Sequence, residues 1–531
     1  MPKITIDDIE IEVEEGQNII QAASALGIDV PHFCYHPSLS VVAQCRQCLV
    51  EVEGVPKVLP ACNTYVREGL VVKTNSEKAV KAREATVEFT LINHPLDCPI
   101  CDKGGECPLQ LTTFNHGPGY SRVEGPEEKK VRQKYYLSDR IMYDPNRCIM
   151  CTRCMRFTDE VTETKELGTN GRGFRKKIDV FPGKKLDNEL AGNVIDLCPV
   201  GALLDKEILH EERVWYWEFT DSICTLCSNG CNITVGVDPR KGKVSRIRPR
   251  PNPDVNDYWI CDKGRYGFKE VQEENRLREP ILKNGDGYET TTWEKAYELF
   301  HTKISEVSSM SHLNLAIIAS PTLTNEELFL ASQLSEKLQA DHLVSNIGFE
   351  SGNKKFNIIS SDPYPNSRGV KDMGIETNLR EIIQLIIDKK IDAVFAIGED
   401  LLGYVEGPDL TALKDALSSL SFLAVLDTKL TGTAHFADLI MPGATAYEKD
   451  GTFTNDRGRV QQIKAAITPP GTAKPEWEVL NTIGAGFDEP GFNFTHPREI
   501  MADLSGKNKS FSGINYERVG VLGSASTLEN Q

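Results

Sequence analysis

This sequence of 531 residues has no cysteine after residue 261, although fifteen cysteines precede that point. It also lacks an apolar run of the roughly 18 residues that a membrane helix needs. Its N-terminus has neither a basic segment followed by an apolar run nor a twin-arginine signal. We therefore expect a cytoplasmic protein with no direct membrane span.

Positive charge is scarce as well. The sequence has 60 Lys and Arg against 77 Asp and Glu, which gives a net charge of -17 at pH 7. Nucleic-acid binding would need the opposite balance or a strong basic stripe. The one concentrated basic stretch, RKGKVSRIRPR at residues 240–250, is short and is followed by an acidic segment. We predict a solvated loop there and no nucleic-acid partner.

The cysteines form groups with ligand-like spacing. In a reducing compartment, fifteen cysteines are better explained by metal chemistry than by disulfides. Cysteines used as ligands cluster by site, whereas cysteines used in packing spread over the chain. Together with one histidine, the fifteen make four sets of four donors with none left over. Because every donor is used in a complete set of four, we predict one 2Fe-2S cluster and three 4Fe-4S clusters.

The first donor set lies in a segment rich in short strands. KITI and IEIEV around Asp7 and Asp8 predict a hairpin, and NIIQAASAL predicts a short helix ended by Gly27. Four thiols on loops of such a segment are typical of a β-grasp 2Fe-2S ferredoxin, although the spacing departs from the plant-type pattern. Zinc also takes four thiolates, so a zinc ribbon remains an alternative. The set comprises Cys34, Cys45, Cys48 and Cys62.

The second donor set is led by a histidine. It follows EKAVKAREATVEFTLIN, which predicts a helix, so the histidine lies near a helix end and the cysteines on the loop beyond. Three cysteines need a fourth ligand and no free cysteine is near, which favours ligation over capping. Gly104 and Gly105 allow the loop to curl around an inorganic core. The set comprises His94, Cys98, Cys101 and Cys107.

The third donor set resembles the bacterial ferredoxin run C-x2-C-x2-C-x3-C-P with its last cysteine displaced. Thr158 stands where that run has its fourth cysteine, so one 4Fe-4S cluster is expected. This set comprises Cys148, Cys151, Cys154 and Cys198, with Pro199 following.

The fourth set comprises Cys224, Cys227, Cys231 and Cys261. By its spacing alone, zinc is an alternative to a 4Fe-4S cluster there.

The cysteine-free half predicts an open α/β sheet. LNLAIIAS, IDAVFAIGED and SFLAVLD read as buried parallel strands, and TNEELFLASQLSEKLQA and LREIIQLIIDKK as helices between them. Neither G-x-G-x-x-G nor G-x-x-x-x-G-K-[ST] occurs, so no phosphate loop is predicted. The last forty or so residues lack clear periodicity, which predicts a docking tail or a mobile end.

These motifs resemble a known family. The order of the donor sets, the leading histidine and Cys198-Pro199 followed by VGAL closely resemble the G-subunit family of NADH:quinone oxidoreductase, the 75 kDa iron-sulfur subunits of respiratory complex I. That resemblance runs from residue 1 to about 270. The stretches CDKGRYGFKEVQEENRLREPIL, ADLIMPGATAYEKDGTFTNDRGRVQ and PEWEVLNTIG resemble the molybdopterin oxidoreductase fold, which extends the coverage to about residue 485.

The resemblance implies a multidomain chain of α/β and α+β parts. The expected segments are a β-grasp 2Fe-2S ferredoxin-type domain at 1–77, a 4Fe-4S domain with one histidine and three cysteine ligands at 78–117, a 4Fe-4S ferredoxin-like domain at 138–210, a molybdopterin-oxidoreductase-type 4Fe-4S domain at 217–273, a molybdopterin-oxidoreductase-like α/β domain at 274–485 and a C-terminal tail at 486–531. No molybdopterin is expected, because no cysteine remains to bind molybdenum and we expect the C-terminal pterin-binding domain to be absent. A serine or aspartate ligand to molybdenum stays open as an alternative. Lys263 matches a family lysine between cluster and pterin, and without pterin a surface or packing role is expected.

In function, the resemblance implies an electron-relay subunit without catalytic residues of its own. In the family, NADH reduces a flavin on a neighbouring subunit, and electrons pass the 2Fe-2S centre, the Cys148 type of cluster and the His-ligated cluster on the way to quinone. The Cys224 type of cluster lies off that route. The implied partners are the flavin/NADH-binding subunit, a thioredoxin-like 2Fe-2S subunit, a ferredoxin-like 4Fe-4S subunit and the quinone-module subunits. The parent complex is the enzyme, a translocase, and the chain would belong to its peripheral arm on the cytoplasmic face of the inner (plasma) membrane.

Three other functions share some of these motifs. A molybdenum-dependent, NAD-linked formate dehydrogenase needs a metal ligand and a complete pterin site. A relay subunit of an NAD-linked hydrogenase shares the N-terminal motifs, although such subunits commonly lack the α/β half. A zinc scaffold without redox function would have to explain four complete sites.

Overall fold

The computed structural model describes residues 1–122, 129, 131–285, 287–308, 314–348, 354–487 and 491–525. The chain divides into two compact units, Met1–Trp217 and Glu218–Gln531. Within the described ranges, no helix is both long enough and apolar enough to cross a membrane.

The first unit begins with a five-stranded sheet. Its strands and the helix between them are β1 (Lys3–Ile6), β2 (Ile9–Glu12), α1 (Ile19–Ala25), β3 (Leu49–Val52), β4 (Leu59–Pro60) and β5 (Leu70–Lys73). The order is β2-β1-β5-β3-β4, and the central pair β1 and β5 is parallel while the other pairs are antiparallel. Asp7 and Asp8 both adopt positive φ in the β1–β2 turn. The predicted hairpin and helix are therefore confirmed.

Two longer helices follow, α2 (Glu77–Asn93) and α3 (Pro108–His116). Ser76 caps α2 by accepting a hydrogen bond from the Ala79 N–H. The helix ends before His94, because Pro95 next to it cannot continue the helix. The predicted helix before the second donor set is confirmed.

The rest of the first unit is built from short elements. They are β6 (Tyr135–Tyr136), β7 (Ile141–Tyr143), α4 (Arg153–Arg156), β8 (Leu167–Asn170), β9 (Lys177–Val180), α5 (Asn193–Leu197) and β10 (Leu203–Asp205). β10, β7 and β6 form a three-stranded antiparallel sheet, and β8 pairs with β9 in a hairpin. A π-helical turn, Phe157–Val161, continues α4.

The second unit opens with three antiparallel strands, β11 (Glu218–Ile223), β12 (Asn232–Asp238) and β13 (Lys243–Pro249), followed by the short helix α6 (Asp262–Tyr266). The prediction of a solvated loop at 240–250 is wrong for its central part, which is β13. Val244 and Ile247 of this strand are buried. A register shift opposite Gly236 breaks the period of two, so the two apolar residues stand three apart and hide the strand pattern.

A seven-stranded sheet forms the main body of the second unit. Its elements and the helices between them are β14 (Ile281–Asn284), β15 (Gly287–Thr290), α7 (Trp293–Ser308), β16 (Leu315–Ala319), α8 (Asn325–Leu338), β17 (His342–Val344), α9 (Ser367–Asp372), α10 (Leu379–Ile387), β18 (Ala393–Ile397), α11 (Gly407–Ser418), β19 (Phe422–Asp427) and β20 (Leu439–Pro442). The order is β15-β14-β20-β19-β18-β16-β17. The strands from β16 to β20 are parallel, and the β14–β15 hairpin adds an antiparallel edge.

Both faces of this sheet are covered. Leu315, Ile317 and Ala319 belong to one apolar cluster, whereas Ala316 and Ile318, between them on the same strand, belong to another. Alternate residues of a strand point to opposite faces, so a strand buried on both sides reads as a continuous apolar run. The predicted open α/β sheet is confirmed.

The last elements among the described residues are β21 (Gly451–Thr454), β22 (Arg459–Ile463), α12 (Glu476–Ala485), α13 (Pro497–Lys507), α14 (Tyr516–Val519) and β23 (Ser524–Ala525). The expectation of a docking tail or mobile end is wrong for residues 491–525. Ile500, Met501 and Leu504 of α13 are buried in the same cluster as α8 and α12, and β23 pairs with β22. Few apolar residues are spread among many Ser, Asn and Gly here, so only tertiary packing reveals the helical face.

Candidate metal centres

The first donor set lies on one end of the five-stranded sheet. Cys48 directly precedes β3, and Cys62 lies in a 3-10 turn after β4. The Sγ atoms of Cys34 and Cys45 are 3.4 Å apart. Cys48 and Cys62 also share a hydrogen bond, which raises the pKa of Cys48. Two thiolates on one tetrahedral metal lie about 3.8 Å apart, so this pairing of two and two fits two metal ions.

The second donor set surrounds a small cavity that all four side chains line. His94 is the C-cap residue of α2, and Cys107 is the N-cap residue of α3. Gly105 has a φ of +90° on the loop between the cysteines, as predicted for a tightly curled loop. The structure thus brings His94 together with the three cysteines.

His94 carries a buried ring nitrogen, Nδ1, for which the described part of the chain provides no hydrogen-bond partner. Burial lowers the pKa of His94 to about 4, and the charge of Arg147 acts in the same direction. The imidazole is therefore neutral near pH 7, the form that binds metal. A buried ring nitrogen without a protein partner fits a metal ligand better than a cap.

The third donor set lines another small cavity, which Tyr143 and Ala202 also border. Met150 and Thr152, between the first three cysteines, adopt left-handed conformations with φ of 56° and 63°. These turns let the loop curl so that Cys148, Cys151 and Cys154 face one space, and the chain after α5 brings in Cys198. The distant cysteine is therefore part of the site in space.

Two arginines join the loops of the first and third donor sets. Arg156 of α4 donates to the carbonyl oxygens of Cys34 and Ser40, and Arg153 donates to that of Tyr35. From the other side, Gln44 Nε2 donates to the Met150 carbonyl oxygen at 2.8 Å. The two loops are held together by charge-assisted hydrogen bonds from a helix of the third set.

One cavity of about 380 Å³ is shared by three donor sets. Cys45 of the first set, His94 of the second and Cys148 of the third all line it, together with Phe33 and Phe89. The first unit therefore brings three of the four donor sets to a common space.

The fourth donor set lies in the second unit, where β11 ends and β12 begins. The Cys224 N–H donates to the Cys231 carbonyl oxygen at 2.8 Å, and the Cys261 Sγ accepts from the Gly264 N–H at 3.3 Å. Burial raises the pKa of Cys224, and charges on Cys231, Cys227 and Cys261 raise it further. The four thiols therefore lie close together. Lys263 donates to the Leu226 carbonyl oxygen at 3.0 Å, a contact typical of a packing lysine.

Burial makes these thiols hard to ionise without metal. It raises the pKa of Cys151, Cys154 and Cys224, and neighbouring thiolates raise each of them further. Four thiolates side by side in a buried site need compensating positive charge. Metal centres supply such charge, so the donor chemistry of the third and fourth sets fits sulfur-ligated metal.

Several residues around the sites were missed by the sequence reasoning. Gly201 leaves no room for a side chain, since a Cβ there would overlap the Cys101 Sγ. Arg147 is 2% exposed beside the second set and forms ion pairs with Asp97 and Asp144. The VGAL sequence after Cys198 was the only signal for Gly201, and the arginines gave none, because their partners are distant in the sequence.

Comparisons with known protein families agree with this arrangement. The family model of the 2Fe-2S iron-sulfur cluster binding domain matches residues 2–77, and that of the NADH-ubiquinone oxidoreductase-G iron-sulfur binding region matches 83–122. The ferredoxin-like domain of NADH-quinone oxidoreductase subunit 3 matches 138–204. The molybdopterin oxidoreductase Fe4S4 domain matches 217–273, and molybdopterin oxidoreductase matches 276–357 and 342–485. The predicted fold class and the order of its parts are confirmed.

A structural likeness exists to a chain of an NAD+-reducing [NiFe]-hydrogenase in its H2-reduced state. It covers 40% of this chain and 91% of that chain at 29% sequence identity, with a TM-score of 0.36. A TM-score this low supports no argument about fold or function.

Whole-length relatives carry the assignment. The mitochondrial 78 kDa subunit of NADH-ubiquinone oxidoreductase from Candida albicans is 30% identical over 91% of this chain and 82% of that protein. The 75 kDa subunit from Reclinomonas americana is 30% identical over 91% and 88%, and the G subunit of NADH-quinone oxidoreductase from Rickettsia conorii is 29% identical over 97% and 92%. This chain therefore belongs to the family that comprises the G subunit of NADH-quinone oxidoreductase and its 75 kDa and 78 kDa counterparts.

Proposed function

We propose that this chain is the iron-sulfur electron-relay subunit of an NADH:quinone oxidoreductase and carries electrons from the flavin-containing NADH dehydrogenase subunit toward quinone. One observation carries the proposal: three donor sets border a single cavity in the first unit. Family membership supports the same function.

Iron-sulfur clusters, when bound, supply one-electron exchange with little rearrangement. The residues of this chain hold the donor loops in place. Arg153 and Arg156 tie the first and third donor loops together, and Arg147 lies buried beside the second set. A relay needs closely spaced sites and no substrate pocket, and these contacts serve that need.

We further propose the cluster types and ligands. A 2Fe-2S cluster is assigned to Cys34, Cys45, Cys48 and Cys62, and 4Fe-4S clusters to the sets that contain His94, Cys148 and Cys224. Among the described residues, no three His, Cys, Asp or Glu side chains are arranged to hold a single metal ion. Metal analysis distinguishes the proposed clusters from zinc.

The division of the chain into six segments, from 1–77 to 486–531, also stays a proposal. In it, the last segment packs on the α/β part.

Molybdopterin is not part of the proposal, because the residues do not fit it. A cavity of about 300 Å³ lies at the carboxyl ends of β18 and β19, lined by Glu270, Asp427 and Glu476. Its two lysines are already paired, Lys429 with Glu273 and Lys449 with Glu327 and Glu476. An anionic phosphate-bearing cofactor would face these carboxylates without free positive charge. We infer that the α/β part serves as a structural support.

Family membership implies assembly with other subunits of complex I. We propose that the specific neighbours are the flavin/NADH-binding subunit, the thioredoxin-like 2Fe-2S subunit, the ferredoxin-like 4Fe-4S subunit and the quinone-module subunits. The proposed location is the peripheral arm on the cytoplasmic face of the inner (plasma) membrane.

The test is metal and sulfide analysis of anaerobically purified protein, for iron, acid-labile sulfide, zinc and molybdenum together. One 2Fe-2S and three 4Fe-4S clusters contain about 14 iron atoms, with matching sulfide. Zinc in place of iron would make one or more sites structural and overturn the cluster assignment. Stoichiometric molybdenum would turn the α/β part into an active site and favour the dehydrogenase.

A further inference from the structure

Asn229 lies within the fourth donor set, between Cys227 and Cys231, and is fully buried. Its amide nitrogen donates a hydrogen bond to the Cys231 Sγ at 3.1 Å. Its amide oxygen accepts a hydrogen bond from Lys354 Nζ at 2.5 Å. Because an ammonium group can only donate, Lys354 fixes the orientation of the amide, so that its N–H group must face the sulfur.

Lys354 comes from the α/β part of the second unit. Its ammonium group also contacts the Asp456 carboxylate at 2.7 Å, and its side chain is only 12% exposed. The backbone of Asp456 in turn donates to the Ser228 carbonyl oxygen at 2.9 Å. The α/β part therefore places a charged lysine one side chain away from a sulfur of the donor set.

We propose that the Lys354–Asn229 pair raises the reduction potential of the metal centre at the fourth donor set. This inference rests on the proposed function, since it requires a 4Fe-4S cluster at that set. Reduction adds negative charge to a cluster and its sulfur ligands, so a hydrogen bond to a ligand sulfur stabilises the reduced state. The lysine polarises the amide and strengthens that hydrogen bond.

The surroundings keep this effect from being screened. Cys231 is 3% exposed and Asn229 is 0% exposed, so neither water nor salt separates the lysine from the sulfur. The Lys354 ammonium group and the Asn229 amide thus favour negative charge on this sulfur.

The experiment compares Lys354→Met and Asp456→Asn in the assembled complex by a redox titration that follows the spectroscopic signal of the fourth cluster. We expect Lys354→Met to reduce the equilibrium constant for one-electron reduction about tenfold, which lowers the midpoint potential by ~59 mV. Asp456→Asn should raise the potential, because it removes the carboxylate that partly neutralises the lysine. If the contact of Lys354 with Asn229 and Asp456 were purely structural, the midpoint potential would shift in the same direction in both variants.

Lys355→Met is the matched control. It removes the same charge from the next residue, whose side chain is exposed. Solvent screens that charge, so the midpoint potential of the fourth cluster in this variant should stay at the wild-type value. Equal shifts in Lys354→Met and Lys355→Met, or a lowered potential in Asp456→Asn, would overturn the inference. If Lys354→Met assembles without the cluster, the direction of the Asp456→Asn shift decides alone. Iron contents that do not differ between the wild type and Cys227→Ala would instead refute the cluster at the fourth set.

Discussion

The two units hold their donor sets by different means. In Met1–Trp217 the sheets are small, and some of the largest fully buried side chains are those of Arg83 and Arg147. In Glu218–Gln531 the single donor set adjoins a seven-stranded sheet with an apolar cluster on each face. Because the sheets of the first unit are small, its donor loops are tied to one another by hydrogen bonds, such as those from Arg156 to the Cys34 and Ser40 carbonyl oxygens. Where a large core exists, a site can be attached to it.

Removal of iron should produce the largest difference between the units. Metal binding to such loops is coupled to their folding, and a loss of about 3 kcal/mol in local stability speeds amide exchange by ~100-fold. We expect that acceleration in the donor loops of the first unit and little change in β16, β18 and β19. Hydrogen exchange with and without iron measures it. Equal acceleration in the central strands of the second unit would show that the two units do not differ in this way.

Gly201→Ala should remove the cluster at the second set. The added Cβ would overlap the Cys101 Sγ, so we expect a loss of about four iron atoms per chain. Iron analysis of the purified variant measures this. Gly119→Ala is the matched control, since a Cβ at Gly119 meets nothing within 4 Å. Retention of full iron in Gly201→Ala would contradict the close approach seen in the structure.

His94→Ala should have a more selective effect in the first unit. We expect one 4Fe-4S signal to change and electron flow from NADH to quinone to fall by about tenfold or more, as for other groups that orient or bind a metal. Spectroscopy and turnover of the assembled complex measure both. His116→Ala, at the end of α3, serves as the control histidine. Unchanged spectra and an unchanged rate would refute His94 as a ligand.

Cys227→Ala should have the smallest effect on turnover. The variant should lose the fourth cluster, yet turnover should stay near the wild-type rate, because the family resemblance puts this set off the relay. Iron content and NADH:quinone activity of the complex are measured on the same preparation. The idea fails if turnover falls in step with the lost cluster while the complex remains assembled.

Local sequence predicted elements best where the pattern is self-contained. The hairpin around Asp7 and Asp8, α2 and the buried strands β16, β18 and β19 follow from turn residues, a helical residue pattern and apolar runs. The sequence did not predict the strand β13, because a register shift breaks its period of two. It did not predict the helix α13, because the few apolar residues of α13 stand among polar ones. In both, contacts with distant segments outweigh the local pattern.

The site residues divide in the same manner. Spacing grouped the cysteines by itself, since ligands to one centre recur at short fixed intervals. No spacing pattern identifies Arg156, Gly201 or Lys354, because each of them contacts a donor set that is distant in the sequence. The sequence alone thus predicted which residues can bind metal and grouped them into four sets, because side-chain chemistry and spacing are local properties. Only the tertiary structure decided which sets share a space and which charges lie beside their sulfurs, because those distances depend on how the chain packs.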